Sequence, residues 1–463
     1  VEAIISKPYS EKEARNRKDN DMAPTNFLLI STNENIIKRC QDLSQEAGYS
    51  FCHISESRAI SNFADIVLLS TEIYKSENDL VSDIKRLKQK TPESFLIVSI
   101  SPKLNQSIPT TLKKAGADCI FLDSDLLNSS KLEFISFQKI KSSHIVIKPS
   151  ELRAGSSINC FVYHAMPMNQ KFLPILWPNE AITEYRMEKF AKVRNLYIQR
   201  KDLQIFQNYR GRYEPFSIKN ARMQFLSLMT HYYDLIMYFC DHSESSNFKK
   251  GAELMHLCQN SARNLVDTLK FVDNVWPIFH HAPIGDYGSV ERSPVIATFS
   301  AHLSLQSKMG DPTHTLMAAL LADLGMLFLG PDLAGKIKQR LDLNLLNRLE
   351  ADEYKKHPSM SLVALLSRKI EVPETVRQII LKTHERVDMN GFPYKPNPES
   401  IPLESMLIQY SELSINDRLY GSDRKQNVQK HDSLENSNIF SIFFLVELQK
   451  HLRISDGGLG FDV

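Results

Sequence analysis

Two rhythms of apolar residues divide the chain. Before about residue 210 the apolar positions come in short unbroken runs: Phe27-Leu28-Leu29-Ile30, Ile66-Val67-Leu68-Leu69, Phe95-Leu96-Ile97-Val98 and Cys119-Ile120-Phe121-Leu122. Such runs read as strands buried on both faces, and the segments between them, near Ile36 to Ala47 and Leu80 to Lys90, carry helical spacing. Strands alternating with helices predict a parallel sheet covered on both sides. A smaller α/β pattern follows over residues 145–209. Its short strands are Ile145-Val146-Ile147, Cys160 to Tyr163, Phe172 to Leu176 and Leu196-Tyr197-Ile198, with one helix from Ile182 to Val193.

Beyond residue 215 the period becomes helical. Phe225, Leu228, Met229, Tyr232, Leu235, Ile236 and Phe239 form one stripe in Ala221 to Cys240. Leu254, Leu257, Cys258, Leu265, Leu269 and Val272 form another in Phe248 to Trp276, and the two suit helix pairing or a homodimer seam. Helical patterning continues to about residue 422, and after a charged linker from Ser422 to Ser437 a last amphipathic helix is expected from Asn438 to Arg453. The predicted architecture is multidomain: a flexible arm (1–25), a flavodoxin-like α/β domain (26–140), a small α/β module (145–209), a helical connector (215–285) and an all-α bundle (286–463).

Composition narrows the partners. A chain of 463 residues is too long for a single core. With 56 Lys and Arg against 54 Asp and Glu, no general attraction to nucleic acid or anionic lipid is implied. Dense apolar runs such as Phe440 to Leu448 fall far short of the roughly 20 residues that span a bilayer. The polar N-terminal stretch is unlike a signal peptide, so cytoplasmic residence is the expectation. Six scattered cysteines, with no close pair, argue against a zinc knuckle or a disulfide framework.

Candidate chemistry concentrates between Ala318 and Arg418. A hydrolytic metal site needs imidazoles and carboxylates converging from different helices, because each supplies a lone pair and the ion activates a bound water. Asp323, His357, His384 and Glu412 are the candidates. Asp323 closes an apolar run, Leu316, Ala319, Leu320 and Leu324, and a carboxylate there needs a partner. Each residue also has a plain structural reading, as a helix-end carboxylate or a helix-start histidine. His280-His281 carries little weight, since adjacent positions on a helix point apart.

The ordered segments Ala318 to Met326, His357-Pro358, Thr383-His384-Glu385-Arg386-Val387-Asp388-Met389-Asn390-Gly391-Phe392-Pro393 and Ile401-Pro402-Leu403 on to Glu412 resemble the HD-GYP family, whose members hydrolyse cyclic di-GMP. The likeness covers about 130 residues. It implies metal ligation by Asp323, His357, His384 and Glu412, and a ligand-facing loop of Arg386, Asp388, Gly391, Phe392 and Pro393, although the glycine and proline also suit the turn alone. The family's His-Asp-x-Gly-Lys motif stands here as Ala322-Asp323-Leu324-Gly325-Met326, its paired histidines as Thr383-His384, and its loop tyrosine as Phe392. An upstream glutamate and histidine are expected where Ser293 and Pro294 stand, and His302 has the wrong offset to replace them. About half of the ligand set is retained, which implies no metal or a single divalent ion such as iron or manganese.

The first domain resembles the receiver of two-component response regulators, in Ala64 to Leu69 and Lys114 to Asp118. Ser31-Thr32-Asn33 stand for that family's acidic cluster, Ser70 for its phosphoacceptor and Asp123 for its lysine, which implies a pseudo-receiver used for docking or dimerisation. Three functional readings follow: a non-catalytic receptor or scaffold of the cyclic di-GMP network, with signalling proteins as partners; a weak metal-dependent phosphodiesterase; and a protein-interaction module with no nucleotide. Because a serine hydroxyl cannot replace a carboxylate as acceptor without an activating base, treatment with acetyl phosphate is expected to leave this domain unmodified. A hydroxylamine-labile phosphoryl adduct found on it by mass spectrometry would overturn that expectation.

Overall fold

The computed structural model describes residues 26–47, 49–57, 64–101, 108–126, 131, 134, 143–166, 171–279, 289–330, 333, 336, 346–420 and 439–456. The expected arm, His280-His281 and the charged linker lie outside them. The chain forms two compact units, residues 1–127 with 135–206, and residues 128–134 with 207–463.

In the first unit the unbroken apolar runs become four strands of a five-stranded parallel sheet, three of them inner. Its elements are β1 (Asn26–Ile30), α1 (Glu34–Ala47), β2 (Ser50–Ile54), β3 (Ile66–Ser70), α2 (Glu77–Lys90), β4 (Phe95–Ile100), α3 (Ile108–Ala115), β5 (Cys119–Leu122) and the single turn α4 (Asp123–Leu126). The order β2-β1-β3-β4-β5 is that of flavodoxin-like sheets. Alternate residues Leu28, Ile30, Val67, Leu69, Val98 and Ile120 form one core with Leu80, Ile84, Leu87 and Leu112 from the helices. Edge strand β2 carries no apolar run, and its residues are mostly exposed, so the sequence reading passed over it.

At the carboxyl edge of this sheet Ser70 of β3 pairs with Ser99 of β4, and Ser31 follows β1. All three are buried. Ser31 donates to Glu72 at 2.7 Å and Ser99 donates to Asp123. Ser70 Oγ is buried without a hydrogen-bond partner among the described residues.

The small module is a four-stranded antiparallel sheet of order β6-β11-β8-β9, built from β6 (His144–Ile147), β8 (Val162–Met166), β9 (Lys171–Leu176) and β11 (Leu196–Gln199). A ribbon of β7 (Ser156–Ser157) with β10 (Ala181–Ile182) and the helix α5 (Glu184–Phe190) complete it. His144 stacks on Phe172 with centroids 3.7 Å apart, and Tyr163 and Tyr197 meet this pair edge-on. Burial pushes the His144 imidazole down to about 4.

The second unit is helical. After α6 (Leu203–Tyr213) come α7 (Ile218–Cys240), α8 (Phe248–Leu269), the short α9 (Trp276–Phe279), α10 (Ser289–Ser307) and α11 (Pro312–Leu321). They are followed by α12 (Arg348–Tyr354), α13 (His357–Ser367), α14 (Glu374–Leu381), α15 (Leu403–Tyr420) and α16 (Ile442–Asp456). The stripes of α7 and α8 face each other within one chain. Gly251 permits that approach, since a Cβ there would lie 2.8 Å from the Tyr238 hydroxyl oxygen. Two details differ from the sequence reading. Helix α8 stops at Leu269 rather than Trp276, and Leu257 is 43% exposed instead of belonging to the buried stripe. Among the described residues no helix is long and apolar enough to cross a membrane.

Leu68 lies on the central strand β3 and is fully buried, whereas Cys52 is exposed on the edge strand. Leu68→Ala is expected to cost about 3 kcal/mol through lost burial and a residual cavity, and Cys52→Ser less than about 0.5 kcal/mol. Urea unfolding followed by circular dichroism checks the contrast, and equal losses would contradict it.

Candidate metal centre

The site is built where a tight turn meets the start of a helix. Asp311 caps α11, its side chain accepting the His314 amide at 2.8 Å, and Pro312 sits in the first turn, where its missing N–H costs nothing. The helix buries every residue from Thr315 to Leu321. It tightens into the 3₁₀ turn Ala322–Phe328, so Asp323 belongs to this turn rather than to the helix proper. The turn lies against the first residues of α13, and a Cβ on Gly325 would come 2.0 Å from the His357 carbonyl oxygen. Only glycine fits there. The Ser361 hydroxyl accepts from the Gly325 amide at 2.7 Å and donates to the Ala322 carbonyl at 2.6 Å. These bonds hold Asp323 opposite His357.

His384 comes from the loop after α14. The Phe392 amide donates to the His384 carbonyl at 3.1 Å, and the Phe392 ring stacks on the imidazole with centroids 4.7 Å apart. Gly391 is required by the same close approach, since a Cβ would lie 2.4 Å from the Arg386 nitrogen. The Glu385 carboxylate gathers the far side of the loop, accepting the amides of Tyr394 at 2.6 Å and Lys395 at 3.1 Å. Arg386 and Asp388 form an ion pair with each other, and Asp388 also accepts the Asn390 amide at 2.9 Å. Among the loop candidates, Phe392 alone touches the cluster through its ring, while Arg386, Asp388 and Gly391 shape the loop and Pro393 follows within it.

His357 Nε2 stands 3.0 Å from His384 Nε2 and 3.5 Å from Asp323 Oδ1. The donor atoms of Asp323, His357 and His384 all lie within 4.8 Å of one another, and all three residues are buried. Two nitrogens bound tetrahedrally to one ion at the usual bond lengths would be about 3.3 Å apart, close to the spacing found. His357 Nδ1 lies 2.7 Å from the Tyr354 carbonyl. In the neutral ring that nitrogen donates, which leaves the Nε2 lone pair toward the cluster, the arrangement a ligating histidine requires. Glu412, on α15, approaches from the other side, its Oε2 3.8 Å from His384 Nδ1. It stands beside the three-donor group rather than within it.

Electrostatics favour the same donor state. Burial, reinforced by the neighbouring His357, pushes His384 down to about 3, so its imidazole is neutral. Burial opposes the charge of Asp323. The interaction with His357, and then those with His384 and Arg292, outweigh it and hold the carboxyl below the ordinary range. Burial and then the Asp323 charge raise Glu412 to about 7. Two imidazoles and one carboxylate fit a single divalent ion.

The other sequence positions fall outside the cluster. Thr383 is buried and spends its hydroxyl on the Ile380 carbonyl at 2.9 Å. Met326 is packed in the core. His302 is buried on α10, where burial lowers it to about 4 and the Asp273 backbone bonds it. The sequence reading overlooked Tyr354 and Arg292. Tyr354 lies three residues before His357, a spacing that places its carbonyl at the helix start.

Residues 257–413, which contain all four predicted ligands, match the family model of the HD domain. A solved structure described as Bd1817, a HDG"Y"P protein from Bdellovibrio bacteriovorus, is 16% identical with a TM-score of 0.41, covering 67% of this chain and 99% of that one. Comparison with curated proteins gives no match.

His384 titrates near 3 when folded and near the ordinary imidazole value of about 6.5 when unfolded. The unfolded chain therefore binds the extra proton between these values. The stability that the neutral ring provides is whole above about pH 6.5 and is lost as pH falls. In metal-free urea titrations, the advantage of the wild type over His384→Phe is expected to be constant above about pH 7 and to shrink down to about pH 4. A pH-independent difference would show that His384 is not held in a buried cluster.

Proposed function

We propose that the HD domain at residues 257–413 is an HD-GYP-like module of a signalling protein of the cyclic di-GMP and two-component type, and that it acts as a receptor or scaffold rather than a turnover enzyme. The observation that carries this reading is the size of the donor set. Asp323, His357 and His384 converge, but Thr383 turns its hydroxyl back to the Ile380 carbonyl, and Ala322 and Met326 offer neither an imidazole nor a cation. Three donors suffice for one ion and leave little to clamp a second. The phosphate-facing lysine that the resemblance implies has no counterpart at Met326. The parallel sheet of the first unit, with Ser70 at the acceptor position, suits a receiver-like docking domain, and signalling proteins in the cytoplasm or a second copy of the chain are the partners this reading implies.

A second reading draws support from His357. Its Nδ1 is anchored to the Tyr354 carbonyl, which leaves Nε2 free to bind an ion, as a working one-metal phosphodiesterase would require. When bound there, a divalent ion would supply Lewis acidity and a water of lowered pKa. The chain itself would hold that ion with His357, His384 and Asp323, and would screen it from solvent with the Phe392 ring.

Manganese- or iron-loaded protein separates the readings. The first expects cyclic di-GMP to bind in equilibrium dialysis and to be recovered intact by chromatography. Steady turnover that Asp323→Ala abolishes would install the second reading in its place.

A further inference from the structure

The sheet edges of this chain are protected unequally. In the parallel sheet β5 forms one edge, and its residues Cys119, Ile120 and Phe121 are buried. In the small antiparallel sheet the edge strand β9 carries Pro174, a residue without an amide donor. Strand β2, the other edge of the parallel sheet, has no such device. Its sequence Ser50-Phe51-Cys52-His53-Ile54 contains no proline and no Asp, Glu, Lys or Arg, and Ser50, Cys52 and His53 are exposed. An edge left this way offers its unpaired amides and carbonyls to another strand.

The ladder between β1 and β2 fixes which groups are unpaired. The strands run in register from Asn26 with Ser50 to Ile30 with Ile54, and the Ser31 amide donates to the Ile54 carbonyl at 3.3 Å. In a parallel pair the N–H and C=O of one residue point to the same neighbour, and successive residues alternate sides. Ser50, Cys52 and Ile54 therefore face β1, while Phe51 and His53 turn their amides and carbonyls outward. Among the described residues no strand meets them. The two outward residues flank Cys52 symmetrically, so the edge is complementary to an antiparallel copy of itself.

We infer that β2 is a dimerisation edge, which pairs antiparallel with β2 of a second copy about a two-fold axis through Cys52 and joins the two sheets into one. Phe51 exchanges both hydrogen bonds with His53 across the axis, on each side of it. The two Cys52 residues form the non-hydrogen-bonded pair between, with Cα atoms about 4.5 Å apart. No like charges oppose each other along the strand. Helix α1, which packs against β2, exposes Lys38 and Asp42 one turn apart, and an antiparallel copy opposes them as unlike charges. The inference rests on the proposed function only in taking a second copy as partner, and it involves neither the metal cluster nor the nucleotide.

The test uses the full chain without nucleotide or added metal. Under reducing conditions, sedimentation equilibrium is expected to show a monomer–dimer equilibrium that Cys52→Ser leaves unchanged. Cys52→Lys and Cys52→Glu set like charges directly opposite and should each weaken association about fivefold or more, whereas an equimolar mixture of the two should recover it. His53→Pro removes an outward donor while sparing the ladder to β1, and should weaken association with the far-ultraviolet circular dichroism unchanged. His53→Ala, which gives up the bond between the ring and the Ser31 carbonyl, should not. Cys52 is also the exposed one of the six cysteines, and the spacing at the axis lies within the roughly 4.4–6.8 Å that a disulfide spans. Diamide, taking up the two electrons and two protons released as two thiols become a disulfide, should therefore give a covalent dimer linked from Cys52 to Cys52. A wild type that stays monomeric up to its solubility limit overturns the inference and leaves the receptor reading standing. A dimer of equal strength in Cys52→Lys overturns it as well, since the copies then meet elsewhere. Dimers that behave as expected but fail to bind cyclic di-GMP uphold the edge and remove the nucleotide from the proposed function.

Discussion

The closest constraint in the helical unit is the contact between the 322–328 turn and the first residues of the helix that starts at His357. Backbone meets backbone at Gly325 with no room for a side chain, and the Ser361 hydroxyl bonds to both sides of the seam. Because buried amides and carbonyls are costly to leave unpaired, this seam has one stable arrangement. Asp323 then has no freedom to stand elsewhere than opposite His357. The His384 loop is fixed by the same device, a glycine where chains touch and a carboxylate, Glu385, collecting amides. The cluster is thus a by-product of two tight backbone approaches, with its side chains delivered by the fold.

Burying titratable groups in such a place has a cost, and His384 meets it by keeping its imidazole neutral. Desolvation disfavours the charged form of a buried ring, and the His384 imidazole is pushed well below its ordinary value. Asp323 keeps its charge because His357 lies within reach, while burial and then the Asp323 charge push Glu412 toward the protonated form. One carboxylate is therefore stabilised as an anion and the other is not, although both were read in the sequence as equivalent ligands.

Strands β1, β3, β4 and β5 were legible because a sheet covered on both faces demands continuous apolar residues, and Leu28, Val67, Leu96 and Ile120 supply them. β2 was not, since an edge strand with an exposed face has no such demand. Helix positions were clear, but the end of α8 was not: Val272 continues the apolar pattern past Leu269 although the backbone has already turned. Asp323, His357 and His384 could be chosen from spacing and chemistry, and they do meet. The division of roles between Glu412 and the other three depends on which ring nitrogen faces which neighbour, a geometric fact with no trace in residue order.

At the carboxyl edge of the parallel sheet, Ser31 and Ser99 give their hydroxyls to Glu72 and Asp123. Those bonds join neutral donors to carboxylates, so they do not depend on a mobile counter-ion and lose little to screening when salt is added. A sheet edge assembled this way keeps the same strength in dilute buffer, in concentrated salt and in the presence of a chelator. The chain therefore carries one polar cluster closed by its own hydroxyls and carboxylates, at the sheet edge, and another, in the helical unit, whose buried donor atoms converge on one another.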